Sequence, residues 1–296
     1  MATERIGFVG VGLMGHGIAG CLLDAGHPLT VIAHRDRAPV DDLVRRGAAE
    51  ATTLEALAAA SDIVHVCAPG SPEVERIVEG LMPGLAAGAV VVDCSTANPV
   101  STAALAERLA AAGHHMADAP LGGTPAQAER GELAAMVGAE AAVFRRIEPV
   151  LRRWAGGGVV RVGGPGDGHR MKLLNNFLAM GYGAIYAEAL ALARTAGFSV
   201  EQVDSVLRGS RMDCGFYQTF MASALGQDRA AHRFTLRNAA KDMDYLALMA
   251  EAAGVANPVG AAIRGSYRDA VAAGGDGPDD YVPHLADFVA RRNGVT

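Results

Sequence analysis

A short apolar strand that runs directly into a glycine-rich turn opens the chain. Residues 5–9 are RIGFV, glycines follow at positions 10, 12 and 15, and residues 14–25 are expected to form a helix. This order suits a dinucleotide, because the first glycine permits the turn, the second lets a pyrophosphate reach the backbone, and the third lets helix and strand pack closely. The alternative is a tight turn without a ligand. The residues expected to contact a cofactor here are Gly10, Gly12, Leu13, Met14 and Gly15.

The end of the second strand, predicted at residues 29–33, bears on the choice between NAD and NADP. An NAD site usually has an acidic residue there, which binds the ribose hydroxyls. Here His34 occupies that point, and Arg35, Asp36 and Arg37 follow. The missing acid and the two arginines favour NADP over NAD, with His34 and Arg35 near its 2′-phosphate. Asp36 leaves NAD open, and the two arginines could instead belong to a solvated loop.

Strands and helices continue to alternate over residues 1–165. Apolar runs at 63–67 and 90–93 are each followed by a loop and a helix. Such alternation predicts an α/β domain of the Rossmann-like kind, with a doubly wound, mostly parallel sheet and helices on both faces. Ligands bind these sheets outside the carboxyl ends of the strands. A Gly-rich loop at 116–125 is expected to hold an anion such as a carboxylate. The loop residues expected near the cofactor are Ala68, Pro69 and Thr96.

One long helix is predicted over residues 168–197, between a Gly- and Pro-rich segment and Gly197. Its middle turns are apolar nearly all round, so we expect the helix to be buried. Lys172, Asn175 and Asn176, at positions i, i+3 and i+4, share one face. These polar groups need partners, which could be structural or a ligand.

Only helices are predicted after this point, so residues 166–296 form an all-α domain that the long helix joins to the first domain. The later helices are expected at 200–207, 216–225, 236–253, 258–273 and 279–291. Lys241 and Asp242 lie early in the third of these. Exposed pairs of this kind are usually solvated and contribute little to stability.

Charge and composition exclude several kinds of partner. The 296 residues carry a formal net charge of −6 and no basic stripe, which argues against nucleic acid. The four cysteines have neither metal nor disulfide spacing, so no metal site is predicted and free thiols in a reducing compartment are expected. The start of the chain has no signal-peptide pattern, and no apolar run is long enough to span a bilayer. We therefore expect a cytoplasmic protein without a membrane partner.

Four motifs in this order resemble the β-hydroxyacid dehydrogenase family, which includes 3-hydroxyisobutyrate dehydrogenase and tartronate semialdehyde reductase. They lie at residues 7–15, 118–138, 172–176 and 241–242, so the resemblance covers nearly the whole chain. It implies an NAD(P)-dependent oxidoreductase that transfers a hydride between nicotinamide and a small, anionic β-hydroxy acid or its semialdehyde. It also implies a C-terminal domain like that of 6-phosphogluconate dehydrogenase, and a homodimer or homotetramer.

The resemblance implies roles for individual residues. Lys172 would be the general acid/base, a role that suits a lysine whose pKa is lowered toward about 7–8. Asn176 would hold the substrate near it. Gly122 and Gly123 would offer backbone N–H groups to the substrate carboxylate. The residues implied near the nicotinamide are Thr96 and Lys241.

One position departs from the family. The family usually has a serine where this chain has Gly122, so a carboxylate-binding hydroxyl is missing. Thr124 is a candidate to replace it; otherwise the substrate differs. Two other functions stay open. Imine reductases share the architecture but usually lack a lysine at the position of Lys172, and a non-catalytic NADP-binding protein would bind cofactor without turning over any substrate.

Overall fold

The computed structural model describes residues 3–295 and divides into two compact units, Met1–Lys172 and Leu173–Thr296. The domain boundary predicted after residue 165 precedes the long helix, whereas the units divide within it. Among the described residues, no helix combines the length and the apolar character that a membrane span requires.

A single sheet forms the centre of the N-terminal unit. Its strands are β1 (Ile6–Val9), β2 (Leu29–Ile32), β3 (Ala49–Ala51), β4 (Ile63–Val66), β5 (Val90–Asp93), β6 (His115–Asp118), β7 (Leu121–Gly122), β8 (Ala134–Gly138) and β9 (Gly158–Gly163). The strand order is β3-β2-β1-β4-β5-β6-β8-β7, and β9 pairs with β8. Strands β1 to β6 run parallel, while β8 is antiparallel to β6 and β7. The predicted mostly parallel sheet is confirmed.

Both faces of this sheet are covered. The helices are α1 (Gly15–Asp24), α2 (Ala38–Arg45), α3 (Leu54–Ala59), α4 (Ser71–Leu81), α5 (Pro99–Ala111), α6 (Pro125–Glu129) and α7 (Ala141–Leu151), with a 3-10 turn at Met82–Gly84. Along β5, Val90 and Val92 belong to one apolar core and Val91 to another. Since alternate strand residues point to opposite faces, the two cores lie on opposite sides of the sheet, as a doubly wound fold requires.

Four small elements are absent from the sequence-based prediction: α2, β3, β7 and α6. The helix α2 buries only Val40 and Leu43, and β3 has three residues. A hydrophobic pattern this short shows neither the 3.6-residue period of a helix nor the two-residue period of a strand clearly enough to predict an element. β3 forms by pairing with β2, and α2 forms by burying Val40 and Leu43 in the core beside the sheet.

The long helix α8 (Asp167–Thr195) is confirmed. It ends in a Schellman motif: Gly197 has φ +83°, and the Phe198 N–H donates to the Ala193 carbonyl. The expectation that α8 is buried all round is wrong for one face. That face, here called the outer stripe, has exposed fractions between 44% and 70%. Its members are Leu174, Leu178, Tyr182, Ile185 and Leu192.

The inner face of α8 carries large and small residues together. Leu173, Met180, Tyr186 and Leu190 are buried there, and so are small residues such as Gly183. Gly183 is buried, and a Cβ placed on it would lie 2.5 Å from the Tyr267 hydroxyl and 3.0 Å from Val282. The Tyr267 hydroxyl donates to the Met180 carbonyl at 3.0 Å. The helix therefore packs closely at Gly183, and the side chains of the outer stripe project away from the unit's core.

The rest of the C-terminal unit is helical. Its helices are α9 (Val200–Leu207), α10 (Gly215–Ala224), α11 (Leu236–Ala252), α12 (Pro258–Ala272) and α13 (Leu285–Arg292). The helix expected to start at residue 279 instead begins at Leu285, after a 3-10 turn at Val282–His284. Tyr281 is extended and bridges to Thr235, and Pro283 cannot donate a helical hydrogen bond, so the helix starts later.

Candidate active site

The glycine-rich turn between β1 and α1 shows two different uses of glycine. Gly10 has φ +97°, and a Cβ on it would collide with the Cys67 carbonyl; a Cβ on Gly15 would collide with the Gly10 carbonyl. A Cβ on Gly12 would have no heavy atom within 4 Å. The chain itself therefore requires glycine at positions 10 and 15 but leaves open space at 12. That space is the cradle that a pyrophosphate needs in front of the α1 N-terminus, so these residues fit a dinucleotide.

The charged side chains after β2 differ in whether they already bind other groups of the protein. Arg37 pairs with Asp41 and Glu50, each at 3.0 Å. The Asp36 carboxylate accepts the Ala38 N–H at 3.0 Å, which starts α2. His34 and Arg35 are exposed, and within residues 3–295 their side chains make no hydrogen bond or ion pair. Of the two arginines, only Arg35 has its guanidinium available for a ligand.

The loops after β4 and β5 are tied to each other. The Ala68 N–H donates to the Ser95 hydroxyl at 2.9 Å, and the Asn98 N–H donates to the Ser71 hydroxyl at 2.7 Å. The Ser95 N–H in turn donates to Asp93 at 2.9 Å. These bonds fix the two loops that contain the predicted cofactor residues Pro69 and Thr96 at the carboxyl edge of the parallel strands.

The predicted substrate loop leaves β6 and turns through β7. Gly123 has φ +131°, a conformation that glycine adopts readily. Gly122 has room: a Cβ on it would lie 3.6 Å from the Ala134 Cβ. The Thr124 hydroxyl lies 3.1 Å from the Gln127 side-chain oxygen and accepts the Gln127 N–H, forming a capping box on α6. That Thr124 supplies the missing hydroxyl to a substrate stays a prediction, since the cap occupies this group.

Asp118, the last residue of β6, holds the beginning of α8. Its two carboxylate oxygens accept the backbone N–H groups of Gly166 and His169, each at 2.6 Å. Burial raises the pKa of Asp118, and the nearby His169 ring and the two N–H donors oppose that rise. Gly168 is required here because a Cβ on it would lie 2.7 Å from the Asp118 carboxylate. The predicted substrate loop and the helix that carries Lys172 therefore both begin at one buried carboxylate.

Lys172 is half-buried in the second turn of α8. The preceding acidic residue, Asp167, uses one oxygen for the Gly164 N–H at 2.8 Å and the other for Arg170 at 2.5 Å. Sequence reasoning missed the histidine one turn earlier: His169 is fully buried and bonds to groups at the ends of other elements. The sequence could have pointed to it, because His169 lies three residues before Lys172 and therefore on the same face of the helix.

In the C-terminal unit, Asn176 and Lys241 meet at one carboxylate. Asn176 donates to Asp242 at 2.6 Å, and the Lys241 ammonium lies 3.2 Å from the other Asp242 oxygen. Asp242 is fully buried and Lys241 is about one quarter exposed, so the expectation of a solvated Lys–Asp pair is wrong. Lys241 also lies 5.4 Å from the Tyr245 ring centre. Asn175 is exposed and donates to Asn176 at 3.2 Å.

Two families match consecutive parts of the chain. The family described as "NAD binding domain of 6-phosphogluconate dehydrogenase" matches residues 5–164. The family described as "NAD-binding of NADP-dependent 3-hydroxyisobutyrate dehydrogenase" matches residues 166–283. Together they cover most of the chain, and both bind a nicotinamide dinucleotide.

Named relatives match over most of their length. The 3-sulfolactaldehyde reductase of Escherichia coli K12 is 32% identical over 272 residues, which are 91% of each chain. The 2-hydroxy-3-oxopropionate reductase of the same organism is 34% identical over 209 residues, covering 69% of this chain and 70% of the relative.

Solved structures share the fold. Mycobacterium tuberculosis 3-hydroxyisobutyrate dehydrogenase, solved with L-serine, superposes with a TM-score of 0.84 at 24% identity, covering 96% of this chain and 99% of that one. An imine reductase from Streptomyces aurantiacus has a TM-score of 0.62 at 20% identity, covering 98% and 99%. The two families and the named relatives agree with the four motifs, and the chain belongs to the β-hydroxyacid dehydrogenase family of NAD(P)-dependent oxidoreductases.

Proposed function

We propose that this enzyme transfers a hydride between NADP and a small, anionic β-hydroxy acid or its semialdehyde, with Lys172 as the general acid/base. The observation that carries the proposal is the buried Asp118 carboxylate. It bonds to the start of α8, one turn before Lys172, and it also begins the loop that contains Gly122 and Gly123. A proton donor and an anion-binding loop that share one anchor suit reduction of a carbonyl beside a carboxylate.

The proposed roles divide the reaction between a proton and a hydride. When bound, the nicotinamide supplies or accepts the hydride. In the reductive direction the Lys172 ammonium donates a proton to the carbonyl oxygen as that oxygen gains negative charge. In the oxidative direction the neutral amine removes the hydroxyl proton. A half-buried side chain suits this exchange, because it is shielded enough to act on a bound group and open enough to recover its proton.

Gly122, Gly123 and Asn176 are proposed to hold the substrate. Backbone N–H groups at a glycine turn can bind a carboxylate, and the positive φ of Gly123 gives the turn the required shape. Asn176 uses one amide N–H for Asp242 and keeps a second for a substrate oxygen. Thr124 is proposed to contribute at the same loop. Relatives named as reductases of sulfolactaldehyde and 2-hydroxy-3-oxopropionate support a small acidic substrate.

NADP is proposed over NAD because of the groups after β2. Asp36, the acid that could bind ribose hydroxyls, already accepts the Ala38 N–H. The available Arg35 guanidinium suits a 2′-phosphate, with His34 beside it, since a planar guanidinium binds phosphate through two N–H groups. The second matching family is also described as NADP-dependent. The other residues proposed to contact the cofactor are those of the glycine turn, Ala68, Pro69, Thr96 and Lys241.

The test is Lys172→Ala, with Arg170→Ala as the matched control on the same helix. Oxidation of NADPH at 340 nm is followed with glyoxylate, succinic semialdehyde, tartronate semialdehyde and a cyclic imine, and the reverse reaction with 3-hydroxyisobutyrate. We expect Lys172→Ala to lose at least about a hundredfold in kcat, which is the scale of general acid–base catalysis, while its affinity for NADPH stays unchanged. Arg170 is exposed and pairs with Asp167, so its removal leaves kcat within about threefold.

The same panel separates the alternative functions. Near-wild-type kcat in Lys172→Ala contradicts the assigned role. Turnover of the cyclic imine alone favours imine reduction, whose representatives share the fold. NADPH binding without turnover of any compound favours a non-catalytic binding protein.

A homo-oligomer, a dimer or tetramer, is proposed on the basis of the outer stripe of α8. A continuous apolar row on one helix is unusual for a free surface, and a two-fold axis across the helix would pair the row with itself. Ile185→Glu is expected to lower the mass measured by light scattering, whereas Val255→Glu, equally exposed but off the stripe, is not. An unchanged mass in Ile185→Glu contradicts this interface. The four free thiols agree with the proposed cytoplasmic location.

A further inference from the structure

The His169 side chain ties the first turn of α8 to two other elements. It is fully buried. Its Nε2 lies 3.1 Å from the Ser95 carbonyl oxygen, and its Nδ1 lies 2.8 Å from the Thr102 hydroxyl. A carbonyl oxygen can only accept, so Nε2 carries a proton and donates it. The ring therefore joins α8 to the loop after β5 and to α5.

Two buried carboxylates flank the same ring. Asp93 Oδ2 lies 3.8 Å from Nε2, and Asp118 Oδ2 lies 3.7 Å from Nδ1. Asp93 uses its other oxygen for the Ser95 N–H, and in the described part of the chain its Oδ2 has no hydrogen-bond partner. The imidazole is therefore enclosed by two buried carboxylates as well as held by its two hydrogen bonds.

The partners of His169 place it where three predicted parts of the active site begin. Ser95 precedes the cofactor residue Thr96 in sequence, Asp118 precedes the substrate loop, and Lys172 lies one turn further along α8. Side chains at i and i+3 on a helix stand on one face, with their Cβ atoms about 5–6 Å apart. A tilt or rotation of the first turn would therefore be carried directly to the Lys172 side chain.

We propose that His169 is a positioning residue for the reaction: through its bonds to Ser95 and Thr102 it sets the orientation of α8, and hence the position of the Lys172 ammonium. This inference rests on the role proposed for Lys172. The backbone of the first turn is held separately by Asp118, which accepts the Gly166 and His169 N–H groups. Loss of the imidazole is therefore expected to leave the helix in place but less well oriented.

A misplacement of about 1 Å can cost a reaction roughly a hundredfold, so the effect is measurable in kcat. We expect His169→Leu to lower kcat by about ten- to a hundredfold, while NADPH affinity, measured by fluorescence titration, stays within about threefold. His169→Gln retains an N–H donor for the Ser95 carbonyl and is expected to recover most of that loss. A purely structural role would lower the unfolding temperature of both variants without changing the kcat of the folded enzyme.

A double-mutant cycle shows whether His169 acts through Lys172. The rates of wild type, His169→Leu, Lys172→Ala and the double variant are compared with NADPH and the fastest acid or semialdehyde of the panel. If His169 acts only by orienting Lys172, then His169→Leu has no further effect once Lys172 is an alanine. The kcat of the double variant is therefore expected to lie within about twofold of the kcat of Lys172→Ala. Multiplicative losses in the double variant overturn the inference.

The cycle distinguishes the failure of this inference from failure of the proposed function. Near-wild-type kcat in Lys172→Ala overturns the role of Lys172 itself. A large loss in Lys172→Ala with wild-type kcat in His169→Leu overturns only the positioning role. If His169→Leu does not fold, Thr102→Val, nearly equal in shape, removes the Nδ1 partner and keeps the ring. It is expected to lower kcat by about three- to tenfold, and an unchanged kcat overturns the inference.

Discussion

Gly12→Ala separates the needs of the fold from those of the cofactor. A Cβ at this position has no protein heavy atom within 4 Å, and Gly12 is not among the glycines with positive φ. The new methyl group therefore strains nothing in the chain. Gly→Ala at such positions stabilises a protein by about 0.4–1 kcal/mol, because the unfolded chain loses freedom. We expect the unfolding temperature of the free enzyme to stay equal or rise slightly.

The bound cofactor is expected to respond in the opposite way. The methyl group would fill the space through which a pyrophosphate reaches the N–H groups at the start of α1. Loss of one hydrogen bond to a charged group costs about 1.5–3 kcal/mol, which corresponds to about a ten- to 150-fold higher Kd for NADPH. At a concentration of 100 times the wild-type Kd, NADPH stabilises the wild type by about 2.7 kcal/mol, and the variant is expected to lose about 1.3–2.4 kcal/mol of that stabilisation.

The assay is fluorescence titration of NADPH together with thermal unfolding with and without the nucleotide. Gly265→Ala is the matched control, since a Cβ there also has open space and the residue lies inside α12. It should bind NADPH like the wild type. Wild-type affinity in Gly12→Ala would refute the reasoning, because the space at Gly12 would then have no role in binding. Unfolding of the free Gly12→Ala enzyme would refute the claim that the chain does not need this glycine.

Three further predictions concern the cofactor, the substrate and stability. Arg35→Ala should raise the Kd of NADPH by about ten- to a hundredfold and leave the Kd of NADH unchanged. Arg37→Ala is the control, because the Arg37 guanidinium is already ion-paired, and it should change neither Kd by more than about threefold. Equal effects of Arg35→Ala on both nucleotides contradict the assignment of Arg35 to the 2′-phosphate. Gly122→Ser fits the available space and should lower KM for 3-hydroxyisobutyrate by about tenfold through one hydrogen bond to the carboxylate; an unchanged KM contradicts a carboxylate at this loop. Burial lowers the pKa of His65 from 6.5 to about 3, so the unfolded chain binds the extra proton between these pH values and stability falls as pH drops below 6.5, by about 2 kcal/mol at pH 5. The free energy of unfolding is measured by denaturant at pH 5 and pH 8 for the wild type and for His65→Leu. The difference between the two pH values should be about 2 kcal/mol smaller in the variant, and an equal difference in both proteins contradicts a buried neutral His65 ring.

Local signals account for the parts of the fold that the sequence predicts well. The glycine turn, the strands β1, β2, β4 and β5, and the end of α8 each depend on residues within one or two turns of chain. Gly197 illustrates this, since its positive φ and the two hydrogen bonds around it involve only residues 193–198. The prediction missed α2 because its hydrophobic pattern is short. It placed the start of α13 too early because the bridge between Thr235 and Tyr281, a tertiary contact, holds the preceding residues extended.

The outer stripe and the Lys241–Asp242 pair show a second reason why prediction from sequence fails: burial depends on which surface the rest of the chain covers. Composition predicts that an apolar helix is buried, but it does not say which side faces the core. The inner face of α8 combines large core residues such as Met180 with Gly183, which allows close approach to Tyr267, while the outer stripe stays exposed. In the same way Asp242 is buried because Asn176, 66 residues earlier, supplies a hydrogen bond that sequence spacing does not reveal.

The contacts that hold the proposed active site together are the least local feature of the molecule. Asp118 reaches His169 across 51 residues, and His169 reaches Ser95 across 74. Each motif, read alone, has an ordinary structural explanation: a strand end, a helix start, a polar loop. Two buried side chains hold these segments together: Asp118, which opens the motif at residues 118–138, and His169, which belongs to none of the four motifs. Substitutions at Asp118 or His169 are therefore expected to lower kcat more than they weaken cofactor binding, because they would displace the proposed acid/base Lys172 and leave the open space at Gly12 unchanged.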